Sequence, residues 1–79
     1  MRIFIHSLEK TLYEGEGRVV TLPAEDGEIS VLNGHIPLVT TLKSGTVRVR
    51  GNESLSKEFS ISEGFAQVNK DHIILLLTS

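Results

Sequence analysis

The sequence predicts a small all-β domain, a flattened sandwich or barrel of short and mostly antiparallel strands. Three observations carry that expectation. Short apolar runs recur every 8 to 12 residues or so and are bounded by Gly, Asn, Asp, Pro or Ser, the spacing of a sandwich or barrel. No stretch sustains the 3.6-residue apolar period of a long amphipathic helix. Turn dipeptides of the kind that tolerate positive φ, Asp26-Gly27 and Asn33-Gly34, cluster in the middle of the chain.

Strands are expected near 2–6, 11–16, 18–23, 28–32, 37–41, 45–50, 55–61, 65–69 and 72–77. The two turn dipeptides bracket the short strand Glu28-Ile29-Ser30-Val31-Leu32. Pro23 and Pro37 fall where a strand ends or begins and a missing N–H is tolerated. The clearest alternation is Thr46-Val47-Arg48-Val49-Arg50, which places two valines on one face and two arginines on the other. Leu55, Phe59 and Ile61 keep phase in the next run, with Lys57 the exception, and the polar stretch Gly51-Asn52-Glu53-Ser54 between them predicts an antiparallel hairpin. The last run, Ile73-Ile74-Leu75-Leu76-Leu77, is apolar on both faces, as for a central strand or one covered by another surface. Ile29, Val31, Leu32, Ile36, Leu38, Val39 and Leu42 are expected to supply much of the core, and the four aromatic residues to lie mostly in core phase.

With 79 residues, one domain spanning 1–79 is expected. A chain this short buries only roughly 60% of its unfolded surface, so its core is thin. No cysteine is present, which removes disulfides and thiolate metal sites from consideration. Apolar residues make up 39% and charged residues 23%, a balance that folds rather than staying disordered. A net charge of −2 supplies no cationic field for nucleic acid. The longest apolar run falls far short of the roughly 20 residues that span a bilayer, so any membrane connection is expected to run through a partner.

Candidate chemistry is sparse. His6, His35 and His72 lie at no metal-ligand spacing, and the expectation is no metal site. No serine sits in a Gly-x-Ser-x-Gly context, and Ser62 precedes a Glu63-Gly64 turn, so no catalytic residue is assigned. Glu25-Asp26-Gly27-Glu28 lacks the flanking helices and ligand spacing of a calcium loop and reads as an exposed hairpin tip. The glycines form no phosphate-binding loop, so no cofactor is expected, and Arg48 with Arg50 reads as a solvated strand face. What remains is a turn-dense edge over residues 23–45 on a rigid scaffold, the form of an interaction module.

The run Leu22-Pro23-Ala24-Glu25-Asp26-Gly27-Glu28-Ile29-Ser30-Val31-Leu32-Asn33-Gly34-His35-Ile36-Pro37-Leu38-Val39-Thr40 resembles the characteristic stretch of the epsilon subunits of F-type ATP synthases. Glu9-Lys10-Thr11-Leu12-Tyr13-Glu14-Gly15 is similar to that family's opening, and the stretches 42–49 and 62–68 follow in order and spacing. Asn33, Ser30 and Ser7 stand where the family commonly has Pro, Gly and Pro.

The resemblance implies a flattened sandwich of about ten strands that binds the gamma subunit along its side and rests on the membrane ring of c subunits at its end. Such a part is non-catalytic and couples gamma to the ring during proton-driven ATP synthesis. It sits peripherally on the cytoplasmic face of a bacterial membrane, or the equivalent organelle face, without inserting. Carried over residue by residue, Glu28 and His35 fall on ring- and gamma-facing loops at one exposed end, Ser7 where the family meets gamma, and Gly45 on a turn needed for assembly. A positive φ is the expected reason for Gly45. Family members continue into a two-helix hairpin that regulates hydrolysis, so residues 1–79 are expected to be a monomer when isolated and to support coupling without inhibiting hydrolysis. The alternative from the residues is a generic small β-sandwich that binds a carbohydrate or peptide, with a hydrolase third.

Overall fold

The computed structural model describes residues 1–35, 37–51 and 56–78. Nine strands run through them: β1 (Arg2–His6), β2 (Thr11–Glu16), β3 (Val19–Ala24), β4 (Gly27–Leu32), β5 (Leu38–Leu42), β6 (Gly45–Arg50), β7 (Ser56–Ile61), β8 (Gly64–Val68) and β9 (His72–Leu77). The count among the described residues is nine rather than ten. After β4 the described residues turn, with His35 N–H bonded to the Leu32 carbonyl at 3.1 Å and Gly34 N–H to the Lys70 carbonyl at 2.8 Å.

The strands pair in the order β2-β1-β9-β8-β5-β3-β6-β7, with β4 on the other edge of β3. One residue pair, Ala24 with Leu42, joins β3 to β5. At that narrow joint the sheet folds over, so β2-β1-β9-β8-β5 faces β4-β3-β6-β7 across a shared core. Among the described strands only β1 and β9 run parallel. The core draws on both layers: Ile3, Ile5, Ile73, Leu75, Ala66 and Val68 from the first meet Val20, Leu22, Val31, Val47 and Val49 from the second. Tyr13 on β2 and Phe59 on β7 bring two edges together, their ring centroids 6.0 Å apart.

Alternation explains the fit. Val47 and Val49 are fully buried while Arg48 and Arg50 are exposed. The β6–β7 hairpin forms as expected, in register from Gly45 opposite Ile61 to Arg50 opposite Ser56, although residues 52–55 of its turn lie outside the described residues. Strand β9 is central, between β1 and β8.

The first turn lies one residue earlier than Asp26-Gly27. Ala24 pairs with Gly27, which leaves Glu25 and Asp26 as a two-residue loop and makes Gly27, at φ 134°, the first residue of β4. Pro23 sits within β3 opposite Glu28, where the hairpin register places a non-hydrogen-bonded pair, so β4 loses no ladder bond to the missing N–H.

The core list also needs correction. Val31 and Leu42 are buried, and Ile29 and Leu38 pack partly against the core. Val39 is 73% exposed and Leu32 55%. Each stands next in sequence to an inward residue, and a strand cannot bury two successive side chains on one face. Phe65, at 52% exposure, is likewise outside the core, because Gly64, Ala66 and Val68 take the inward positions of β8. Ile36 lies outside the described residues.

Candidate partner-binding surfaces

Strand pairing assembles a surface that no single segment contains. On the outer side of the five-strand layer, Phe65 stands opposite Leu76, Thr41 opposite Phe65, and Val39 opposite Gln67. Phe4 stands opposite Ile74 one strand further on. Directly opposed side chains are about 4.5–5.5 Å apart at Cβ and diagonal ones somewhat further, so Val39, Phe65, Leu76, Ile74 and Phe4 form a mainly apolar face with Gln67 between Val39 and Ile74. Leu76 is 53% exposed, which leaves the apolar outer side of β9 uncovered within the chain. The outer side of the other layer is polar by contrast. There Thr21 and Ser30 share a hydrogen bond of 3.2 Å and Arg48 pairs with Glu58 at 2.9 Å. Contiguous exposed apolar surface marks a docking site, whereas exposed ion pairs are ordinary solvated surface.

One end of the molecule is built from turns. The β3–β4 tip is tied to β5 by the Glu25 N–H to Thr41 carbonyl bond of 3.1 Å and by the Thr41 hydroxyl donating to the Glu25 carboxylate. Beside it a shallow cleft of about 240 Å³ opens between β4 and β5, floored by Ile29 and Leu38 and rimmed by Asp26 and Glu28. A second recess of about 380 Å³ is lined by Ser7, Leu8, Lys10, Leu12 and Thr78. Thr78 also borders a third recess with Glu25 and Thr41, so the two tips share this end.

Ser7 and Glu28 therefore lie toward the same end, and His35 does not. Glu28 is one pair from the β3–β4 tip, and the four residues on to Leu32 carry the chain about 13 Å away at the rise of a strand. His35 follows that far end, where Gly34 is bonded to Lys70 of the β8–β9 turn. The expectation of one shared end fails because the turn dipeptides bracket a full strand.

The hydroxyl of Ser7 is used locally. It donates to the Lys10 carbonyl at 3.1 Å and accepts from the Lys10 N–H at 3.2 Å, closing the β1–β2 turn. That turn carries Leu8 outward at 82% exposure.

Gly45 is not required for its φ, since the positive-φ glycines are Gly27 and Gly34. It is the first residue of β6, and a Cβ there would stand 2.8 Å from Cβ and 3.2 Å from Cγ of the Pro23 ring. Glycine permits the close approach of β6 to β3 at the fold's joint.

In the β8–β9 turn His72 Nδ1 lies 2.9 Å from Asp71 Oδ1, and its Nε2 lies 3.0 Å from Asn69 Nδ2. An Asn amide nitrogen only donates, so Nε2 accepts and the proton sits on Nδ1. The hydrogen bond from His72 holds the fully exposed Asp71 carboxyl below its ordinary value. Among the described residues no group of three or more His, Cys, Asp or Glu is placed to hold a metal, and no polar or charged side chain is buried. No described helix is long and apolar enough to cross a membrane.

Sequence reasoning missed Leu8, Val39, Phe65 and Leu76 as surface residues. The available signal was phase: once Leu38, Thr40 and Leu42 are assigned inward, Val39 must point out.

An apolar-cored sandwich of nine described strands, with one exposed apolar face and turn-built recesses at one end, defines a small all-β sandwich domain. The chain belongs to the family of the ATP synthase delta/epsilon chain β-sandwich domain, whose model matches residues 1–79. It is 40% identical over 70 residues to an ATP synthase epsilon chain of Prochlorococcus marinus, covering 89% of this chain and 52% of that one. Over 76 residues it is 30% identical to the epsilon chain of Polynucleobacter necessarius, covering 96% and 55% respectively. The chain thus spans about half the length of the curated relatives it matches. Among solved structures, a chain of the Euglena gracilis mitochondrial ATP synthase superposes with a TM-score of 0.90 at 23% identity, covering 98% of this chain and 49% of that one. A chain of the Tetrahymena thermophila mitochondrial ATP synthase central stalk and c-ring gives 0.84 at 15% identity, covering 100% and 63%. At these identities the structural likeness shows the fold alone.

Proposed function

We propose that this sandwich is a non-catalytic central-stalk part of an F-type ATP synthase, coupling the gamma subunit to the c-ring during proton-driven ATP synthesis. The observation that carries the reading is the uncovered apolar face of β5, β8, β9 and β1, which fits the side of a stalk subunit. The relatives' name, epsilon chain, and the central-stalk and c-ring assemblies in which its structural neighbours occur support it. The domain then works at the membrane's cytoplasmic or equivalent face through its partners.

Magnitudes separate the two surfaces. Burying a Val, Leu or Phe side chain fully contributes about 1.5–3 kcal/mol. Covering Val39, Phe65 and Leu76, each already half buried or less, therefore supplies about 1 kcal/mol or more apiece. An exposed carboxylate such as Glu28 against a basic loop of the ring supplies about 0.2–1 kcal/mol. The apolar face provides affinity for gamma, while Glu28 at the turn-built end orients the ring contact. Ser7, through the turn that presents Leu8, and His35, through the turn tied to Lys70, extend the gamma-facing side. Gly45 serves assembly by holding the fold's joint closed.

The test is reconstitution. Epsilon-depleted ATP synthase in vesicles should regain proton-driven ATP synthesis when this chain is added, and Phe65→Ser with Val39→Ser should need at least about tenfold more protein for the same restoration while remaining folded. Full restoration by that double variant at the parent's concentration would refute the assignment of the apolar face.

A further inference from the structure

The β4–β5 turn contains Asn33 followed by Gly34, a pair in which a side-chain amide adjoins an unhindered backbone nitrogen. Asn33 is exposed, and Gly34, at φ 85°, has no atom within 4 Å of where a Cβ would stand. The other asparagines are Asn52, followed by Glu53, and Asn69, followed by Lys70, so a side chain crowds the nitrogen next to each. The Asn69 amide is also held against His72.

We propose that Asn33 is a site of spontaneous covalent modification, deamidating through a succinimide, and that the fold restrains it with the 2.8 Å bond from Gly34 N–H to the Lys70 carbonyl. In the reaction, hydroxide takes the Gly34 N–H proton and the nitrogen's electron pair bonds to Cγ of Asn33. The Cγ–Nδ2 bond breaks, and nitrogen leaves as ammonia after taking a proton from water. Water then opens the five-membered ring at either carbonyl, giving Asp or isoaspartate with no change of oxidation state.

The bond to Lys70 occupies the proton that must leave and ties the nitrogen to the β8–β9 turn. Cyclisation requires that bond to open, so the rate follows the open fraction of the turn. The product adds one negative charge to a chain whose net charge is −2. In the isoaspartate form the backbone is one methylene longer, which displaces Gly34 from Lys70 and reshapes the segment carrying His35. This inference does not depend on the proposed function.

The experiment compares the folded chain with the chain in enough urea to abolish its far-ultraviolet β signal, both held at mildly alkaline pH. Peptide mapping by mass spectrometry quantifies conversion at each asparagine, and an isoaspartate methyltransferase assay counts the isoaspartate product. Asn33 should convert faster than Asn52 and Asn69 in urea, and about tenfold or more slower in the folded chain than in urea. Asn33→Gln, which would have to close a six-membered ring, should abolish the dominant conversion. Equal rates at the three asparagines in urea would overturn the site, and equal folded and unfolded rates at Asn33 would overturn the restraint.

Discussion

Adding one methyl group at Gly45 should destabilise the whole domain, through crowding rather than backbone strain. The new Cβ would stand 2.8 Å from Cβ of Pro23, closer than real Cβ atoms approach, and 3.2 Å from its Cγ, which is tight. Pro23 is buried and its ring is fixed to the backbone, so it cannot rotate away. Its carbonyl accepts the Lys43 N–H at 2.9 Å, and its neighbour Ala24 makes the pair that joins the layers. Relief therefore requires β3 and β6 to separate at the joint. Overpacking of this kind costs about 1–3 kcal/mol, and Gly45→Val should lie at or above the upper end. A 79-residue domain has roughly 4–12 kcal/mol in total. Urea unfolding should show a lower midpoint at unchanged slope for Gly45→Ala, and its melting temperature should fall about 4–8 °C per kcal/mol. Pro23→Gly removes both crowding atoms, so the double variant should lose less than the sum of the singles. A Gly45→Ala protein within about 0.5 kcal/mol of the parent, or strict additivity with Pro23→Gly, would refute the steric argument.

Other perturbations separate the core from the surface. Leu75→Ala, at a fully buried position of β9, should cost about 2–5 kcal/mol in urea unfolding. Glu28→Lys should shift stability by no more than about 0.5 kcal/mol yet weaken coupling of proton flow to ATP formation in vesicles at low salt. Because the folded Asp71 carboxyl lies below its ordinary value of 3.8, its contribution is present above that value and fades as pH falls through the folded pKa. His72→Ala should raise the Asp71 pKa toward ordinary in a carbon-detected NMR titration, and an unchanged titration would contradict the hydrogen bond's role.

Much of the fold was legible because period-2 alternation is local. Val47 and Val49 on one face and Arg48 and Arg50 on the other fix both the strand and its orientation. Turn chemistry located the β3–β4 hairpin but misplaced it by one residue, because Gly27 uses its positive φ inside the first ladder pair. The apolar surface was less legible. Val39, Phe65 and Leu76 come from three strands, and only the β5–β8–β9 register makes them neighbours. The need for glycine at 45 arises from a contact with Pro23, 22 positions earlier, which no local pattern reports. Glu28 and His35 looked adjacent because seven positions is a short span in sequence. Along an extended strand it separates two ends.

The most direct test of the account is the affinity of this chain for the gamma subunit from the same source, measured by calorimetry for the parent and for Val39→Ser with Phe65→Ser and Leu76→Ser. With about 1 kcal/mol or more lost per residue, the account predicts an affinity at least about a hundredfold weaker for the triple variant, with its β spectrum unchanged. Parent-like affinity in the triple variant, or no binding by the parent, would contradict it.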